Sequence, residues 1–202
     1  MDLHHFRLFE KHLPDNAVHY CFDLWKKYQF DFKISRKRQS KLGDFKFHPR
    51  LSRQVITINT DLNPFSFLIT YIHEVAHLQV YQNGEGRSSP HGIPWKKKFR
   101  ELLSPMLNDL VFPPDILTVL KKHMINPKAS AGADPKLHKA LHNYDESNGL
   151  PHLSDIVMGN KFKFRKRIYI KLEKKRTRAI CQESNSGRRY LIPLVAEVEA
   201  LD

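Results

Sequence analysis

Apolar positions follow a helical period in several stretches of the chain and a strand period in two others. Over residues 2–13, Leu3, Phe6, Phe9 and Leu13 share one face, and Pro14 stops that segment. Asp15 is placed to cap a second helix carrying Val18, Cys21, Phe22, Trp25 and Tyr28 on one side. From Phe32 to Asn59 the period shortens to runs separated by turn residues at Leu42-Gly43-Asp44 and His48-Pro49-Arg50, which predicts two or three strands of a small antiparallel sheet. Residues 64–83 carry the clearest helix punctuation, with Asn63 as N-cap, Pro64 at the first position and Gly84 as the stop. Phe65, Leu68, Ile69, Ile72, Val75, Ala76 and Val80 make its buried face, and Phe67, Tyr71 and Leu78 extend the apolar cover almost all round.

Beyond the loop Glu85-Gly86-Arg87-Ser88-Ser89-Pro90, a third major helix is expected to begin near Ile93 or Pro94. It turns Trp95, Phe99, Leu102, Leu103 and Met106 inward and Lys96, Lys97, Lys98 and Arg100 outward. A short helix is predicted near 114–124, and the stretches 126–132 and 148–151 read as linkers. From Lys161 strand alternation returns, with Phe162, Phe164, Ile168, Ile170 and Leu172 on one side and basic residues between them. Residues 177–182 and 188–195 are expected as later strands, joined by a turn at Asn185-Ser186-Gly187. The expected fold class is α+β: a helical core with a small antiparallel sheet over 1–125, a linker or insert with a short helix over 126–157, and a small basic β-rich element over 158–202.

A chain of 202 residues can bury a sizeable core in one main domain with a small appendage. No apolar run approaches a membrane span, and Met1-Asp2-Leu3-His4-His5 does not begin a secretory signal, so the expected location is cytoplasmic, with no membrane partner. Cys21 and Cys181 are too few for a disulfide framework or an all-cysteine zinc site. The formal charge of +13 makes polyanions natural partners. Its densest block is 161–178, where ten basic side chains face the single acid Glu173. Lys163, Arg165, Arg167, Lys171, Lys174, Lys175, Arg176 and Arg178 are the candidate contacts to a nucleic-acid backbone, DNA being the expected partner. The plainer alternative is a solvated edge whose lysines discourage aggregation.

The chemistry concentrates at His73-Glu74-Val75-Ala76-His77. Histidines four apart on a helix share a face, so one metal ion can reach both rings, while the glutamate between them can act on a water without being a ligand. In a helix buried nearly all round, these polar groups need a partner, and one zinc ion would satisfy them. His91, after the loop, can fold back as a third ligand and leave the fourth tetrahedral position to solvent, as in catalytic zinc sites. The bland reading makes all three ordinary histidines. A second pair, His138 and His142, lacks both an interposed glutamate and an apolar setting and reads as a solvated helix face.

This pentapeptide, followed by His91-Gly92, Trp95 and Phe99, resembles the SprT-like (Spartan-related) metalloproteases. The resemblance covers residues 15–110 most strongly. It implies a zincin-like core, His73, His77 and His91 as ligands of one zinc ion, and Glu74 as the catalytic base. It also implies an endopeptidase acting on DNA-associated or DNA-crosslinked proteins, in the setting of DNA repair. Many members end in a four-cysteine zinc ribbon; the corresponding region here has only Cys181, so a second zinc is not expected. Two rival readings stand beside it: a nucleic-acid-binding protein on a protease-like scaffold with little or no hydrolysis, and a zinc hydrolase of small amides.

Overall fold

A computed structural model describes residues 2–38, 40–48, 53–86, 89–145 and 150–201. Pro49 and Arg50 of the second expected turn, Arg87 and Ser88 of the expected loop, and Asn148-Gly149 lie outside the described residues. Among those described, six α-helices and two small sheets make a mixed α+β protein that divides into two compact units, residues 1–145 and 146–202. No helix among them is long and apolar enough to cross a membrane.

The first unit begins with α1 (Asp2–His12) and α2 (Asp15–Tyr28). Pro14, not Asp15, holds the N-cap position of α2 and makes no side-chain cap; Asp15 lies inside the first turn, where its charge complements the helix dipole. Three strands follow, β1 (Asp31–Ser35), β2 (Gly43–His48) and β3 (Arg53–Asn59), in the order β1-β3-β2. The pairing corrects the expected antiparallel sheet: β2 runs antiparallel to β3, but β1 runs parallel to it, with Phe32 opposite Ile56. The connection from β1 leads to β2 on the far side of β3. That connection becomes important at the site.

Helix α3 (Pro64–Gln82) packs across this sheet. Its start is local chemistry, since the Asn63 side chain accepts from the Ser66 N–H and Pro64 needs no N–H partner in the first turn. Gly84 closes it at φ +76°, with the Glu85 N–H reaching Val80 O at 3.0 Å. Phe9 of α1, Phe32 of β1, and Phe67 and Tyr71 of α3 interlock edge to face or stacked at 5.1–6.3 Å between ring centroids. The buried Tyr71 hydroxyl donates to Cys21 O at 2.8 Å, tying α3 to α2. Helix α4 (Ile93–Leu103) lies against α3, and α5 (Pro114–Ile125) and α6 (Pro135–His142) complete the unit. Leu137, Ala140 and Leu141 of α6 enter the common core, so the stretch 126–157 expected between domains contributes its helix to the first unit.

The second unit is a five-stranded antiparallel sheet: β4 (Lys161–Phe164), β5 (Arg167–Lys174), β6 (Arg178–Glu183), β7 (Arg189–Pro193) and β8 (Glu199–Leu201), in the order β7-β6-β5-β4-β8. Arg165 and Lys166 form the β4–β5 turn with φ of 49° and 67°, so the chain reverses inside what reads as one alternating run. The inward phase changes at that turn. Phe162 and its cross-strand partner Tyr169 are buried, while Ile168 and Leu172, expected beside Phe162, are exposed. Lys171 follows Tyr169 inward.

Candidate metal centre

His73 and His77 leave α3 one turn apart, and His91 approaches from the residues before α4. Their Nε2 atoms converge: His77 lies 3.1 Å from both His73 and His91, and His91 lies 3.2 Å from His73. The Trp95 ring, fully buried, packs behind all three at centroid distances of 4.6, 5.5 and 4.8 Å from His73, His77 and His91. Its Nε1–H donates to His73 O at 3.3 Å. The expected third ligand is therefore brought to the helical pair.

These contacts cannot all be hydrogen bonds. A neutral imidazole nitrogen either donates or accepts, so among three atoms in mutual contact at least one pair is two donors or two acceptors. A shared cation removes that conflict. Burial lowers the pKa of all three rings, His73 well below the usual value and His77 to about 4, with the neighbouring imidazoles adding to the effect at both. The rings are thus neutral and keep lone pairs for coordination. Tetrahedral zinc with bonds of about 2.0–2.1 Å has nitrogen edges of about 3.3–3.4 Å, close to the triangle present. Among the described residues this is the one group of three or more His, Cys, Asp or Glu side chains arranged to hold a metal ion.

Glu74 lies beside the triad, 6% exposed, in a cleft of about 490 Å³. Residues 40–45 form one side of that cleft, α3 its floor, and Pro90, His91 and residues 129–131 the rest. Burial pushes the Glu74 carboxyl up to about 8, against a hydrogen bond from the Phe45 N–H, with Asp44 adding to the rise and Arg38 and Lys41 opposing it. Desolvation is the controlling effect, as for any carboxyl held among apolar groups.

The β2 edge approaches Glu74 closely because position 43 is glycine. A Cβ there would meet Thr70 Cγ2 at 2.7 Å and Glu74 Cγ and Oε1 at 3.1 Å. Gly43 entered the sequence reading only as a turn residue, and neither the Phe45 N–H nor Thr70 carried a signal. The pair His138 and His142 lies on α6 outside the metal group, with His142 Nδ1 hydrogen-bonded to Asp145.

The candidate nucleic-acid contacts separate into three kinds. Lys171 is 2% exposed and donates to Leu153 O, Ser154 O and Ile156 O at 2.7, 3.3 and 2.5 Å, so it is a core residue and not a phosphate contact. Lys163, Arg167 and Lys175 are exposed but paired with Glu199, Glu183 and Glu173. Arg165, Lys174, Arg176 and Arg178 are exposed, with the Arg165 guanidinium 5.0 Å from the Phe164 ring centroid.

Neither a protein-family model, nor a curated protein, nor a solved structure matches the chain.

Proposed function

We propose that the protein is a zinc-dependent endopeptidase of SprT-like type with a zincin-like core, acting on proteins associated with or crosslinked to DNA. The observation that carries this reading is the convergence of His73, His77 and His91 within 3.2 Å of one another, with buried Glu74 beside them in an open cleft. Three neutral imidazoles would hold the ion, and the cleft leaves room for solvent and a peptide at its remaining side.

Zinc held there would supply Lewis acidity toward a carbonyl oxygen and would bring the pKa of a water near neutral pH. Glu74, whose carboxyl a neighbouring dication would return to its ionised form, would accept the proton of the attacking water and later deliver it to the leaving amine. The Phe45 N–H faces that carboxylate and favours its ionised form. Trp95 and Phe99, buried behind the histidines, exclude water from the far side of the triad. The exposed cations Lys174, Arg176 and Arg178 of the second unit would engage phosphates and concentrate the enzyme on DNA-bound substrate.

Replacing Glu74 by Gln tests the assignment. Zinc content should stay at one equivalent while hydrolysis of casein falls by about 10²-fold or more. Turnover retained in that variant would remove Glu74 from the role of base. The competing reading, a nucleic-acid-binding protein without hydrolysis, draws on the same exposed cations. It predicts DNA binding by wild type with no cleavage of casein, with or without DNA.

A further inference from the structure

We infer that Asn59 is a positioning residue for Glu74: its buried carboxamide holds Arg38 and Lys41, ahead of β2, so that Gly43 and the Phe45 N–H are presented to the carboxylate. The inference rests on the reading of Glu74 as the proton acceptor, and it concerns a residue in neither the metal triad nor the cleft lining.

Asn59 ends β3 and is 1% exposed. Its side chain uses its whole hydrogen-bonding capacity. The Oδ1 atom accepts from Ser35 Oγ at 3.0 Å and from Arg38 Nε at 2.7 Å; the Nδ2 group donates to Arg38 O at 3.2 Å and Lys41 O at 2.9 Å. A carboxamide has two acceptor and two donor sites, and all four are filled. The backbone adds a fifth bond, since the Asn59 N–H donates to Leu42 O at 2.8 Å. One residue therefore holds the connection at Ser35, Arg38, Lys41 and Leu42.

The partners extend the hold toward the cleft. Arg38, gripped from both its backbone and its side chain, also donates to Thr57 O at 3.3 Å and pairs with Asp44. Asp44 pairs further with Lys41 at 3.2 Å and Lys46 at 3.5 Å. Asp44 stands between the two residues that touch Glu74, Gly43 by close packing and Phe45 by its N–H. The geometry of the base thus passes through a chain of fixed contacts that begins at Asn59. The metal ligands lie elsewhere, on α3 and just before α4, so the two functions of the site are separable.

The test uses the full chain with Asn59→Leu, Asn59→Asp and Arg38→Gln. In each, zinc should stay at one equivalent and the Co(II)-substituted absorption spectrum should match wild type. The kcat on casein should fall about tenfold or more in Asn59→Leu and by a smaller factor in the other two, with KM within about twofold, as expected when a reacting group is misplaced and binding is spared. Amide exchange at Phe45, followed by NMR, should quicken at least about tenfold over wild type while the amides of residues 72–76 stay protected. If kcat and Phe45 exchange are both unchanged, or if zinc is lost in step with activity in the folded Arg38→Gln protein, the inference is overturned. Should Asn59→Leu fail to fold, the other two variants decide. If wild type cleaves nothing, the peptidase reading fails by itself, and Phe45 exchange still decides whether Asn59 holds the N–H that faces Glu74.

Discussion

Gly43 and Glu74 are packed so closely that a methyl group on Gly43 would stand 3.1 Å from both Cγ and Oε1 of the carboxylate side chain. Thr70 closes the same space at 2.7 Å, and its hydroxyl, donating to Ser66 O at 2.7 Å, holds its rotamer. Gly43→Ala should therefore cost about 1–3 kcal/mol in stability by overpacking. It should also lower kcat while leaving zinc content intact, measured by thermal unfolding, turnover and metal analysis on one preparation. A fully active Gly43→Ala protein would mean the β2 edge does not constrain the base.

The stability of the first unit should depend on acid pH through Asp134. Burial pushes this carboxyl up, but the hydrogen bond from His123 and the N–H groups of Leu137 and Lys136 outweigh it and hold its pKa below the usual carboxylate value. A depressed folded pKa means the stabilisation is present above the unfolded pKa and is lost as pH falls through the folded one. The difference in melting temperature between wild type and Asp134→Asn should close as the pH falls below about 4. A difference that instead grows on acidification would show that the carboxylate is not stabilised in the fold.

Lys171 and its exposed neighbours should separate cleanly by experiment. Lys171→Met leaves the buried carbonyls of Leu153 and Ile156 without their donor and should destabilise the second unit by about 2 kcal/mol or more. Lys174→Ala, Arg176→Ala and Arg178→Ala should leave the melting temperature unchanged. If these three contact a DNA backbone, each should reduce the slope of log K against log salt by about 0.7–0.9. Unchanged slopes in all three would remove the β5–β6 turn as the DNA-contacting surface.

What could be read in advance was local. Helix α3 was legible because Asn63, Pro64 and Gly84 act on their immediate neighbours, and the observed bounds Pro64–Gln82 differ by one residue from those expected. The His73–His77 face follows from helix geometry alone. That His91 folds back onto that face depends on a loop path and on the packing of Trp95, so spacing could nominate it but not place it. Asn59 looked like the polar end of a strand because its partners lie 18 to 24 residues earlier in the chain. The parallel pairing of β1 with β3 was hidden for a related reason: the 36–42 connection could equally have made a hairpin.

The fate of Lys171 turned on a single reversal. Two-residue hairpin turns announce themselves as Asn-Gly or Asp-Gly, whereas here Arg165 and Lys166 hold the positive φ values. Without that signal, residues 161–172 read as one strand, and the phase error put an inward lysine among the surface cations.

Metal analysis of purified wild type beside His91→Ala asks whether the three imidazoles hold one zinc ion. Wild type should carry one equivalent of zinc after dialysis. His91→Ala should remain folded, since His91 is only half-buried, and lose most of its metal under the same dialysis. Wild type that takes up no zinc, or a His91→Ala protein that holds it as tightly as wild type, would show that the three histidines are not a zinc site.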